Sequence, residues 1–188
     1  MIKTKLEHLG SIDIDTPRLL LRKITAKDHR DIYHNINHDK NVLKYFGATY
    51  YDNYEESSIE RLIELSAKQD CYCWGIEKKD DNECIGIILQ QDNNHQSLNI
   101  EIGYAIGFDY WNKGYVTEAL KAVILFLFDK IGYHKITAGY ISENTASKRV
   151  LQKCHMKFEG IRKSDFYFND RFYDISYHYI LNPHHQNR

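Results

Sequence analysis

The chain has no excess of charge of either sign. Its 188 residues carry 25 lysines and arginines against 26 aspartates and glutamates, a formal net charge of −1. That excludes a strong overall attraction to nucleic acid or an anionic membrane and leaves room only for a local basic patch. Paired cysteines are missing as well. Cys71, Cys73, Cys84 and Cys154 form no C-x-x-C pair and no dense loop, so reduced thiols are the simplest account and no zinc site is expected. His34 and His38 stand four apart without the glutamate of an H-E-x-x-H motif, and surface positions are the plainer reading.

Long apolar runs are also absent. The longest, Ala122 to Phe128, is too short to cross a bilayer. Lys3, Lys5 and Glu7 interrupt the opening, so no secretory signal and no membrane partner is expected, and a cytoplasmic protein is the default. No linker, internal repeat or low-complexity segment divides the chain. One domain over residues 1–182 is expected, with 183–188 as a loose tail.

Tyrosine is plentiful, at 15 residues, and so is histidine, at 10. This suits an aromatic binding cleft and equally suits half-buried strands. Pro17 precedes a strand signal over residues 18–24. Helices are expected over 28–38 and 55–68, separated by a tyrosine-rich loop at 50–54. Strands follow over 71–77, 84–90 and 98–106, with turns at 78–82 and 92–94. A helix over 116–130 is closed by Gly132. Then come a strand over 135–141, a helix over 144–153, and strands over 157–168 and 171–180 around an Asn169-Asp170 turn. This order predicts one α/β (α+β) domain. Its central sheet is mixed and mostly antiparallel, with about seven strands flanked by about four helices.

One stretch carries more information than the rest. Trp111-Asn112-Lys113-Gly114-Tyr115-Val116-Thr117-Glu118 joins a strand signal to an apolar helix. The first N–H groups of a helix lack partners inside it and point where an anion can sit. Gly114 permits close approach of backbone to a ligand, and Lys113 adds positive charge. The alternative is a tight strand-to-helix turn with no ligand. In the preceding strand Leu98, Ile100, Ile102, Tyr104 and Ile106 alternate on one face. The other carries Glu101, Gly103 and Ala105, a carboxylate beside two small residues that leave room for a ligand.

In these pieces the chain resembles the GNAT superfamily of acetyl-CoA-dependent N-acetyltransferases, above all its ribosomal-protein N-terminal acetyltransferase branch and the related spermidine acetyltransferases. The matching pieces are Thr16 to Arg22, Glu101 to Tyr104, Tyr110 to Ala119, Asn144 to Ser147, and Phe158-Glu159-Gly160 through Tyr173-Asp174. They occur in family order and cover nearly the whole chain. The chain departs from the family pattern at Trp111, Asn112 and Val116 in the loop and at His155-Met156 after the Asn144 helix.

The resemblance implies acetyl transfer from acetyl-CoA, as cosubstrate, to an amine, with no metal and no nucleic acid. It places the cofactor's pyrophosphate on the amides of Asn112, Lys113, Gly114, Tyr115, Val116 and Thr117, in a cofactor-binding loop that Trp111 opens, and its pantetheine arm along Tyr104, Ala105 and Ile106 with help from Asn144. Glu101 is implied as general base, with Asp165 as rival. A thiolate donor commonly supplied by Tyr seven residues after the motif Asn is absent, since Leu151 stands there; Ser147 is the substitute. Asn144 and Ser147 equally suit helix capping and first-turn support. Tyr45, Phe46, Tyr50, Tyr51 and Tyr54 are candidates for an acceptor cleft or for packing, and Asp52, Glu55 and Glu56 would suit a cationic acceptor. The implied acceptor is a protein N-terminal amine; a polyamine or antibiotic amine, or a non-catalytic acyl-CoA sensor, are the alternatives. A homodimer is a possible assembly, since relatives often pair.

Overall fold

The computed structural model describes residues 6–185. Lys3, Lys5 and the last three positions of the expected tail lie outside the described residues. The chain has eight strands, mostly antiparallel in their pairing, and five α-helices among these residues. It divides into two compact units.

The first unit comprises His8–Gln90 and Tyr104–Val123. β1 (Ile14–Asp15), β2 (Leu19–Arg22), β3 (Cys73–Lys78) and the start of β4 (Cys84–Asn94) pair antiparallel in sequence order. β2 shows why a strand forms here. Leu19 and Leu21 are fully buried, while Leu20 and Arg22 alternate to the other side. Arg22 meets Asp28 at 2.6 Å and Glu77 at 2.5 Å. Ile24, Ile32, Ile36, Val42, Leu43, Ile59, Cys73, Cys84, Ile87 and Ala105 form a continuous core, with Trp111, Phe46 and Tyr50 packed against it. Each such aliphatic side chain contributes about 1.5–3 kcal/mol when fully buried.

The expected helix over 28–38 is a 3-10 turn, α1 (His29–Ile32) and a wider turn to Asn37 in succession. α2 (Lys40–Phe46) was not expected. Asp39 caps its start by accepting from the Asn41 N–H, and Gly47, at φ +69°, ends it. The helix expected over 55–68 is shorter. Residues 54–56 form a 3-10 turn tied down by Ser57, whose hydroxyl lies 2.7 Å from both His29 Nε2 and the Tyr54 carbonyl. α3 (Glu60–Ala67) starts only after it.

The second unit comprises Gln91–Gly103 and the chain from Ile124 on. β4 runs through Asp92-Asn93-Asn94, expected as a turn; the chain turns instead at residues 95–98. β5 (Asn99–Ile106) begins parallel to β6 (Lys135–Ile141) through Asn99–Lys135, Ile100–Ile136 and Glu101–Thr137. β6 pairs antiparallel with β8 (Arg171–Leu181), and β8 with β7 (Lys157–Phe168). Asn169 and Asp170 both have left-handed φ values, +48° and +56°, as a tight hairpin requires. α4 (Tyr115–Phe126) continues as a wider turn to Ile131 and stops at Gly132, φ +98°. α5 (Thr145–Lys153) starts at the cap Asn144. Residues 183–185 form a 3-10 turn, with the His185 ring stacked on His134.

Candidate active site

In the first unit the chain leaves β5 at Ile106 and reaches α4 through a 3-10 turn at 108–110 and a loop at 111–114. Trp111 is the anchor of this loop. Its Nε1 donates to the Ile106 carbonyl at 3.0 Å, its N–H to the Phe108 carbonyl at 3.0 Å, and its ring packs on Phe108 and the core. Asn112 and Gly114 adopt left-handed φ values, +59° and +81°, which turn the backbone sharply into the helix. The first i→i−4 bond of α4 runs from the Glu118 N–H to the Gly114 carbonyl. The amides that precede Glu118 stand at the positive end of the helix dipole. Lys113 is exposed, its ammonium 5.5 Å from the Tyr110 ring centre. The Tyr110 hydroxyl donates to Glu83 at 2.6 Å, and burial together with that carboxylate pushes its pKa up. Val116 is buried, so its side chain packs inward.

Two small residues do not leave the room expected of them. A Cβ on Gly103 would lie 2.5 Å from Gln91 Nε2, so the Gln91 side chain occupies that space. Ala105 is part of the core cluster. Tyr104 and Ile106 keep the expected alternation only roughly, since Ile106 is buried and Tyr104 half-buried.

In the second unit Glu101 sits where the parallel β5–β6 ladder ends. It is half-buried. Burial raises its pKa above the ordinary glutamate value, the Arg162 charge pulls it back, and Asp92 and Asp165 push it up further. Asp165 and Glu101 are therefore brought into one electrostatic neighbourhood. Asp165 lies in a bulge of β7 between Arg162 and Phe166. Ser164 is left-handed there, at φ +50°, and its N–H donates to Asp174, which also receives the Lys163 ammonium at 2.8 Å. Arg162 reaches Asp165 at 3.7 Å and lies over the Tyr177 ring. Gly139 makes room for that ring, since a Cβ there would stand 2.9 Å from it.

Asn144 and Ser147 meet each other at the start of α5, where Asn144 Oδ1 accepts from the Ser147 N–H at 3.0 Å. Leu151, the place of the missing tyrosine, is fully buried. Phe46 and Tyr50 pack on the core, while Tyr54 lies against Tyr33 and His29. Among the described residues no group of three or more His, Cys, Asp or Glu side chains could hold a metal ion, and no helix is long and apolar enough to cross a membrane. Arg162, Tyr177 and Gly139 were missed in the sequence, because a strand residue's neighbour on the next strand leaves no local pattern.

The family model described as "Acetyltransferase (GNAT) domain" matches residues 18–157. The chain belongs to the GNAT acetyltransferase family. Among its relatives is the "Uncharacterized N-acetyltransferase YoaA" of Bacillus subtilis, 31% identical over 90% of this chain and 97% of that protein. The Vibrio cholerae "Spermidine N(1)-acetyltransferase" is 23% identical over 91% and 97%, and the Escherichia coli "[Ribosomal protein uS5]-alanine N-acetyltransferase" 22% identical over 83% and 84%. A solved GNAT-family acetyltransferase of Bacillus anthracis superposes with a TM-score of 0.79 at 27% identity, over 91% of this chain and 99% of that one. Membership makes the chain an acetyl-CoA-dependent N-acetyltransferase. The loop fits that donor: it combines a helix start, a left-handed glycine and an exposed lysine.

Proposed function

We propose that the acceptor is the N-terminal amine of a protein and that Glu101 is the base that readies it. The observation that carries this reading is a half-buried carboxylate at the end of a parallel ladder, on the same strand that leads into the glycine loop. An amine is mostly an ammonium at neutral pH. Glu101, with its raised pKa, accepts one proton from it. The freed amine attacks the acetyl carbonyl, forming the C–N bond as the C–S bond breaks. The second proton leaves the nitrogen as the thiolate is protonated, and Ser147 is the group proposed to pass it on. Backbone N–H groups at Tyr104, Ala105 and Ile106 are proposed to hold the pantetheine arm, with Asn144. Those of Asn112, Lys113, Gly114, Tyr115, Val116 and Thr117 are proposed to hold the pyrophosphate, with Trp111 anchoring the loop. Four cysteines with no C-x-x-C spacing fit action in the cytoplasm within one catalytic domain.

A small polycation is the second reading. Exposed Glu55 and Glu56 and the neighbouring Asp52 raise the pKa of Tyr33, after burial, and Lys40 already lies 4.7 Å over the Tyr50 ring. This end of the first unit therefore attracts cations. The test is release of the CoA thiol with peptides bearing alanine or serine N-termini, with spermidine and with an aminoglycoside. Turnover of peptides supports the first reading and turnover of spermidine alone replaces it. Tight acetyl-CoA binding without any thiol release would make the protein a sensor.

A further inference from the structure

Thr16 and Arg18 have a partner one hundred residues away. Glu118 Oε1 accepts from the Thr16 hydroxyl at 2.8 Å and the Arg18 N–H at 2.9 Å, and Oε2 accepts from Arg18 Nε at 2.7 Å. Thr16 is itself locked: its hydroxyl oxygen accepts from the Leu19 N–H at 3.0 Å, and its backbone N–H donates to the Leu19 carbonyl at 2.9 Å. The guanidinium is thus aimed by a buried turn, although its side chain is 46% exposed. Its other end reaches the glycine loop. Nη1 donates to the Lys113 carbonyl at 3.0 Å, and Nη2 lies 3.5 Å from where a Gly114 Cβ would stand. The guanidinium also covers the Tyr115 ring at 4.5 Å. One planar fork therefore ties the first turn of α4 to the carbonyl between the two left-handed residues, Asn112 and Gly114.

We propose that Arg18 is a positioning residue for the donor: braced by Glu118, it fixes the Lys113–Gly114 backbone so that the amides of the loop and first turn face the acetyl-CoA pyrophosphate. The inference rests on the assignment of this loop to the donor phosphates. Turning the Lys113 carbonyl toward the guanidinium removes it from the anion's path and leaves N–H groups to meet the ligand. A lysine could keep one of these bonds but could not hold Glu118 and the Lys113 carbonyl in one plane.

The experiment compares R18Q, R18K and R18Q/E118Q with the unmodified protein. Acetyl-CoA binding is followed by calorimetry, steady-state kinetics by thiol release, and amide hydrogen exchange over 111–118 in the ligand-free protein. R18Q is expected to weaken acetyl-CoA binding about tenfold, with the loss in KM rather than kcat. R18K should fall in between, and exchange of the loop amides should speed up in both. R18Q/E118Q restores the net charge of the loop without restoring the fork, so no recovery is expected. Recovery in that variant would overturn positioning in favour of charge alone. Affinity and exchange within about twofold of the unmodified protein in R18Q would also overturn the inference. If the unmodified protein binds no acetyl-CoA, the donor assignment falls and takes the inference with it. Unchanged R18Q against normal binding removes the inference alone.

Discussion

Arg162 lies over Tyr177, its guanidinium carbon 4.5 Å from the ring centre, and its Nη1 donates to the tyrosine hydroxyl at 3.3 Å. The two stand on adjacent antiparallel strands, where Gly160 pairs with Tyr177 and Arg162 with Ile175. This contact holds a positive charge near two carboxylates, Glu101 and Asp165. Its consequence is a pH profile that two substitutions move in opposite directions.

Arg162 lowers the Glu101 pKa and Asp165 raises it, both against a larger upward push from burial. With Glu101 as base, activity rises as pH climbs through its folded pKa. Arg162→Gln should therefore move the acidic limb of kcat/KM to higher pH, and Asp165→Asn to lower pH. Glu101→Gln should cost roughly 100-fold or more in kcat. Loss of activity in Asp165→Asn with retention in Glu101→Gln would transfer the base role to Asp165.

Acid should weaken the first unit in a defined window. Burial pushes the pKa values of Asp28 and Glu118 up, but hydrogen bonds to Arg22 and Thr25 for the one, and to Arg18 and Thr16 for the other, hold both below their ordinary values. Groups depressed on folding contribute stability above the unfolded carboxylate values. That stability is lost as pH falls through the lower folded values. Denaturant titrations should show stability declining below roughly pH 4–5, and Asp28→Asn should flatten part of the decline. Asp28→Ala should destabilise by about 3 kcal/mol at neutral pH, because Arg22 is left half-buried without that partner.

Gly86 should not tolerate even a methyl group. A Cβ there would stand 2.5 Å from the Ala105 carbonyl, which is backbone and cannot swing aside. Gly86→Ala is expected to cost about 1–3 kcal/mol and to raise KM for acetyl-CoA, because Ala105 belongs to the stretch proposed to hold the donor. An unchanged melting temperature and KM would refute the close approach.

Asn144 separates capping from ligand binding by substitution. Asn144→Ala should cost about 1 kcal/mol, the ordinary value of a lost N-cap. Asn144→Ser keeps a capping oxygen and should keep stability, yet raise KM for acetyl-CoA. Normal KM in the serine variant would reduce Asn144 to a cap.

Much of the fold was legible locally. β6 and β7 occupy the stretches that alternation marks, and Gly132 ends its helix where a left-handed cap was expected. α2 escaped because seven residues give too short a period, although Asp39 and Gly47 were both present as end signals. Asp92-Asn93-Asn94 read as a turn because their local preference is for turns; strand β4 carries them on regardless. The cleft residues were half legible. Glu101 and the glycine loop announced themselves by type and spacing, whereas Gly103 gave a false impression of free space, because Gln91 fills it from another strand.

By itself the sequence determined the chemistry on offer: a carboxylate on a strand, a glycine and a lysine before an apolar helix, and a helix start at Asn144. These follow from side-chain type and short-range periodicity. Only the tertiary structure decided what holds them. Glu118 meets Arg18 across one hundred residues, Asp174 pins the bulge that carries Asp165, and Arg162 finds Tyr177 on the neighbouring strand. Such partners are set by strand register and chain return, which place distant residues within hydrogen-bond reach and leave no periodic mark along the chain.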